Sequence, residues 1–375
     1  MDFVDPQRAD EASPAPGRSP TVVCLLAFLG CFVLACALIR AALPQPREEL
    51  LTAKLEAFTP IKDRFDTLFL GSSRIYRHLD CAQFDRIMAN GGYPTSSFNF
   101  GVPGMTLLET TWVLDQVLAL EPGRVERIFL SGEIALQLHA DNELSDRVVN
   151  WHDGVRTRLA VDLVLEGPHS LDQKIPILHS HVMALAYNLV NVGRSRLSLV
   201  PGIDGTELSR LKARKRLIDQ VSLDGFCSLD EYAGLVKGDV LDTTVARSIE
   251  LDERWDEFVA ERERVRVEGV ANREPTPAEL AVMDRVLDQL GERGIEVVFV
   301  ISPSYDSREG YLRGADDRDL VPTVYDYGSV AAYGEFFERD LRYDWNHLNE
   351  LGARKLTSMI AGRYAAMRRD RGDTP

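Results

Sequence analysis

Positive charge is in short supply. Against 58 Asp and Glu the chain sets 43 Lys and Arg, a net charge of −15. With no strong basic patch, that balance excludes a nucleic-acid partner, because phosphate backbones are bound by Lys and Arg that displace counterions. Cysteine is scarce too, five in 375 residues, with Cys24, Cys31 and Cys36 all inside one N-terminal apolar run. Cys81 and Cys227 remain, enough for one disulfide that spacing alone does not decide. Internal repeats are absent, which excludes solenoid and propeller arrays.

The apolar run itself is the clearest global feature. "TVVCLLAFLGCFVLACALI", Thr21 to Ile39, carries no charge, and apolar residues continue past Arg40 to Leu43. As a helix it is long enough to cross a hydrocarbon core of about 30 Å. A cleaved signal peptide has a shorter apolar core and a basic start, whereas this start is mixed in charge. A lipoprotein ending at Cys36 is disfavoured because the apolar run continues beyond that cysteine. The expectation is a transmembrane signal anchor over residues 21–43, preceded by a polar, Pro-rich, disordered cytoplasmic tail over 1–20. Arg8 and Arg18 before the span balance Arg40 and Arg47 after it, so charge alone leaves the orientation tied.

Beyond the anchor, strand-like and helix-like segments alternate. "TLFLG" is followed by a helical pattern around "CAQFDRIMANGG", "SSFNFG" by one in "MTLLETTWVLDQVLALEPG", and "RIFLSG" makes a third strand. Such alternation predicts an α/β domain over 44–375 with helices on the faces of a parallel sheet. From about 140 to 275 the rhythm breaks, and that stretch reads as a largely helical insertion. Regularity returns at Thr276, whose capping box with Glu279 starts a helix that Gly294 ends. Ile295 to Ile301 then form a buried strand, and a final helix starts near Asn349.

The chemistry-bearing residues lie at the edges of these elements. "LFLGSSR" ends a buried strand on a glycine and two serines. That is either an ordinary turn or a nucleophile at the carboxyl end of a parallel strand, where open α/β sheets place their sites. A serine nucleophile needs a base and a group that orients the base. "YDWNHLNELG" offers Asp344 and His347, three residues apart just before a helix. A developing oxyanion needs donors, and Gly104 in "NFGVPGMT" can present a bare backbone amide. Arg74 suits either an anionic substrate group or a structural salt bridge. His152 in "NWHD" lines the site or is a satisfied turn residue. His179 and His181 share a face if "HSH" is a strand, but no carboxylate spacing completes a metal centre. No metal or other cofactor is expected.

Taken in order, "FLGSSR", "FNFGVPGMT", "IFLSGE" and "DWNHLNELG" resemble the block pattern of the SGNH (GDSL-like) hydrolase superfamily, over Asp66 to Gly132 and Gly294 to Arg363. The resemblance implies a flavodoxin-like three-layer sandwich with a central parallel sheet. It implies Ser73 rather than Ser72 as nucleophile, His347 as base and Asp344 as its partner. Gly104 and the Ser73 amide would serve the oxyanion. The third block departs: Ile134 stands where the family carries an Asn donor, a loss worth on the order of a hundredfold in rate. Either another group substitutes, for example Asn99, or catalysis is weak or absent.

The superfamily includes membrane-anchored envelope proteins that move or remove acyl groups on polysaccharides. That implies a single-pass protein of the bacterial inner (cell) membrane with its domain in the periplasm or outside the cell. Its substrate would be an acylated glycan or other ester, and its partners those of polysaccharide export. The expected activity is a serine esterase or O-acyltransferase, and the alternative is a catalytically silent module that binds a glycan or partner protein.

Overall fold

Thr67–Leu70 is buried on both sides, as a strand covered by helices on two faces must be. The computed structural model describes residues 20–42, 49–135, 145–191, 224–235, 239–270, 272–305 and 308–373. It begins with α1 (Pro20–Ala42). The 22-residue stretch Thr21–Ala42, whose most apolar 18 residues have a mean hydropathy of 3.0 and no buried share, is long and apolar enough to cross a membrane. Apart from Pro20, the tail expected over 1–20 lies outside the described residues.

The chain then runs through α2 (Glu49–Phe58), β1 (Thr67–Leu70), α3 (Ser73–His78), α4 (Cys81–Asn90), β2 (Ser97–Asn99), α5 (Leu107–Leu118) and β3 (Arg127–Ser131). Among the described residues six helices follow: α6 (Asp146–Trp151), α7 (Gly154–Glu166), α8 (Leu171–Leu189), α9 (Leu229–Leu235), α10 (Asp239–Glu253) and α11 (Trp255–Glu268). The described part of the 140–275 stretch therefore contains helix and no strand. The αβ alternation resumes with α12 (Pro277–Gly291), β4 (Glu296–Ile301), α13 (Gly310–Asp316), β5 (Val324–Asp326), α14 (Val330–Tyr333) and α15 (Glu350–Asp370).

All five strands are parallel, in the order β2-β1-β3-β4-β5. That is the 2-1-3-4-5 order of a doubly wound sheet, compatible with a flavodoxin-like sandwich. Side-chain alternation along the strands divides the core in two. Leu68, Leu70, Ile128, Leu130, Val297 and Phe299 pack toward α5 and α12. Phe69, Phe129, Val298 and Val300 pack toward α4 and α15. The capping box at Thr276 forms as the sequence predicts, with Glu279 reaching back to the Thr276 amide at 2.9 Å.

α2 belongs to this core. Phe58 packs on Phe65, Phe98 and Phe100 at ring-centroid distances of 5.6, 5.3 and 5.0 Å. Such pairs each add about 0.5–1.5 kcal/mol beyond the area they bury. The helix that follows α1 is thus fixed to the sheet at β2.

One question left open by the sequence closes, and one expectation changes. Cys81 and Cys227 are both buried free thiols, so no disulfide joins them. "HSH" lies in α8 rather than a strand, and at 100° per residue an offset of two separates its histidines. His181 is buried and His179 exposed. No group of His, Cys, Asp or Glu suited to a metal occurs among the described residues.

Candidate active site

The sheet reverses its winding between β1 and β3, and at that switch point doubly wound folds open a crevice beyond the carboxyl ends of the strands. Gly71, which ends β1, sits at φ +153°, and a Cβ there would meet Ser131 Cβ at 2.5 Å and Ile75 Cγ1 at 2.6 Å. Only glycine lets the chain leave the strand this close to β3. Ser72 then caps α3, its buried hydroxyl accepting the Arg74 N–H at 3.3 Å. The next residue, Ser73, faces the cleft.

The structure brings Ser73, His347 and Asp344 together. Ser73 Oγ lies 2.8 Å from His347 Nε2. His347 Nδ1 is 2.9 Å from each oxygen of Asp344. With Nδ1–H given to the carboxylate, Nε2 keeps its lone pair for the Ser73 hydroxyl. Asp344 Oδ1 also accepts the backbone N–H groups of Asn346 and His347, both at 2.8 Å. Burial by itself pushes the Asp344 carboxyl up. The His347 hydrogen bond and charge, the Asn346 amide and the Arg342 guanidinium outweigh it and hold the carboxyl below its usual range.

The turn carrying Asp344 and His347 has its own supports. Arg342, fully buried, donates to the carbonyls of Pro303, at 3.1 Å, and of Trp345. His78 accepts the Leu348 N–H at 3.0 Å, and its ring meets that of His347 edge-on at 5.9 Å between centroids. Burial above all, then the nearby charges of His347, Arg342, Arg74 and Arg77, hold His78 well below its usual range. It stays neutral, so a positive charge arising on His347 meets no second cation in that ring.

Two backbone amides face the same space. Gly104 has φ +69°, with nothing within 4 Å of where a Cβ would stand. Neither its N–H nor that of Ser73, the first residue of α3, is hydrogen-bonded among the described residues. Ser73, Gly104 and His347 line a cavity of about 1060 Å³ whose opposite wall, including Tyr232, Thr244 and Arg247, comes from α9 and α10. The helical insertion thus closes the cleft.

The structure corrects the expected roles of Asn99 and Arg74, keeps Ile134 without a donor, and leaves His152 outside the cleft. Asn99 is fully buried and spends both amide hydrogens on the carbonyls of Ile75 and Leu79, at 2.9 and 3.0 Å, while its oxygen accepts the Gly101 N–H. Its amide shapes the loop and has no hydrogen left for an oxyanion. Arg74 is 3% exposed and lies 3.7 Å from Glu133 and 3.8 Å from Glu309. It neutralises buried carboxylates beneath the site instead of meeting substrate. Ile134 packs in the apolar core and donates nothing. His152 does not line the cleft: it is buried, bonded to Val148 O at 2.6 Å and to His181 Nδ1 at 2.8 Å.

Sequence reasoning also missed Lys54. This fully buried lysine on α2 donates to the carbonyls of Asn99, Gly101 and Gly225 at 2.9, 2.7 and 2.9 Å, above the Tyr76 ring. An amphipathic pattern gives no signal for it, because a lysine on a short helix ordinarily reads as solvated. Lys54→Met keeps the bulk and strands three acceptors. It is expected to cost about 3 kcal/mol or more, measured as a lower midpoint in urea unfolding.

No protein-family model matches this chain, and neither does any curated protein.

Proposed function

We propose that the protein is a membrane-anchored serine ester hydrolase or O-acyltransferase of the SGNH (GDSL-like) type. Its domain would stand on the outer side of a bacterial inner (cell) membrane, acting on an acylated envelope or exported glycan. The observation that carries the reading is the Ser73–His347–Asp344 chain of hydrogen bonds, closed at 2.8 and 2.9 Å inside a cleft at the sheet's switch point. In this reading Ser73 Oγ attacks the ester carbonyl while its proton passes to His347 Nε2. The carbonyl oxygen takes the negative charge against the amides of Ser73 and Gly104. Collapse expels the alcohol, which leaves with the proton from His347, and the acyl group stays on Ser73. Water or a sugar hydroxyl then gives its proton to His347 and takes the acyl group. With two backbone donors and no side-chain donor at Ile134, turnover is expected to be slow.

A fluorophosphonate probe tests the nucleophile. Wild type is expected to label at Ser73 and Ser73→Ala not at all. No labelling of wild type, or equal labelling of the two, removes the assignment. The missing Asn donor favours one other reading, a silent module that binds a glycan or a partner protein. Full rescue of a deletion strain by Ser73→Ala would select it.

A further inference from the structure

Apart from α1, large exposed apolar side chains gather along α8. Leu171, Ile175, Val182 and Leu189 are 78%, 66%, 52% and 57% exposed. At 100° per residue, their spacings of four, seven and seven bring all four within about 40° of one another around the helix. The opposite side, with Ile177, Ser180, His181 and Ala184, is buried in the domain. One straight apolar stripe therefore runs the length of a helix whose other face is already packed, which marks a surface made to be covered.

The covering medium is indicated at the end of the stripe. Arg40, in the last turn of α1, donates to the carbonyl and the side-chain oxygen of Asn188, both at 2.8 Å. Asn191 donates to the Cys36 carbonyl, a turn further into α1, at 2.7 Å. The carboxyl end of α8 is thus bonded to the very turns where the apolar span ends. Only six residues, 43–48, join α1 to the docked α2, a link of at most about 25 Å.

We propose that α8 lies in the bilayer interface at the end of α1, with its stripe turned toward the acyl chains. The domain would then rest on the membrane through two elements instead of swinging on one. Interfacial helices sink their apolar face about 5–10 Å into the headgroup boundary, a depth that the Cys36 and Arg40 contacts match. The proposal rests on the anchor reading above, namely that α1 spans the bilayer.

The test uses the full chain with Cys24, Cys31 and Cys36 replaced by alanine, carrying one environment-sensitive label in vesicles of phosphatidylethanolamine and phosphatidylglycerol doped with doxyl lipid. Labels at Ile175→Cys and Val182→Cys are expected to lose more than about half of their emission to the doxyl group. A label at Arg158→Cys, a site 84% exposed on α7, is expected to keep its emission. Val33→Cys within α1 reports the anchor. If Val33→Cys is quenched while the α8 labels behave like Arg158→Cys, the α8 proposal falls and the anchor stands. If Val33→Cys is not quenched, both fall. Protection of the α8 labels that rises with protein density, without doxyl quenching, would make the occupant a second copy and overturn the proposal.

Discussion

Asp344→Asn is expected to lower the acylation rate by about 10⁴-fold while leaving the fold intact, the loss known for the Asp-to-Asn change in a serine triad. The local hydrogen bonds explain why so small a change acts so strongly. Asp344 Oδ1 is held by the Asn346 and His347 amides, so an asparagine keeps its oxygen there and turns its NH2 group toward His347 Nδ1. An NH2 group donates, which forces the imidazole proton onto Nε2. Ser73 then faces an N–H where it needs a lone pair. The readout is burst kinetics with an activated ester beside the far-UV and thermal profiles. An unchanged rate with an unchanged fold would show that Asp344 does not set the ring's tautomer.

Acid should weaken the fold through two buried histidines, starting where an unfolded histidine takes up its proton. His78 and His152 are both buried and kept neutral: His78 lies well below its usual range, and burial above all, with the His181 charge, brings His152 down to about 3 despite its bond to Val148 O. An unfolded histidine takes up a proton near pH 6.5. Below that pH the unfolded state binds more protons than the native one, so stability falls as pH falls. Each such group removes up to about 1.4 kcal/mol per pH unit. The Asp224 carboxyl, which burial above all raises to about 6, takes up its proton first in the native state and offsets part of that loss. Domains of this kind hold 5–15 kcal/mol in all. Asp344, with its lowered range, adds a further loss only in stronger acid, where its carboxyl takes up a proton. Urea midpoints measured from pH 7.5 to 4.5 should decline, with a net slope below two protons because Asp224 opposes the two histidines. A flat profile across that window would contradict the neutral burial of these rings.

Much of this architecture was legible in the sequence because it rests on local signals. "TLFL" and "EVVFVI" are short apolar runs ended by glycine or small residues, and they form β1 and β4 with nearly those bounds. Gly71 followed by two serines, and the spacing of Asp344 and His347, are local signals, while the choice of Ser73 over Ser72 comes only from the resemblance to the SGNH (GDSL-like) block pattern. β5 was missed because three residues beside Pro322 carry too little periodicity. Misreadings arose where a polar group's partner lies far off in sequence. Asn99 bonds carbonyls 20 and 24 residues away, and Arg74 meets Glu309 across the sheet. Type alone made Asn99 look like a ligand-binding group and left Arg74 open between substrate and salt bridge, whereas burial and partners place both inside the fold. His152 meets His181 across the insertion in the same way.

Lys54 sets one further property of the molecule. The helix that carries it is the first described element after the span, and its ammonium grips the loop on which Gly104 stands through the Asn99 and Gly101 carbonyls. Under the proposed function, with α1 as the anchor, membrane and site would be linked through α2: a pull on α1 would reach α2, then the lysine, then the loop that carries Gly104. Tension should show as a loss of turnover before any unfolding, and a domain cut free between α1 and α2 should have lost that sensitivity while keeping its resting rate.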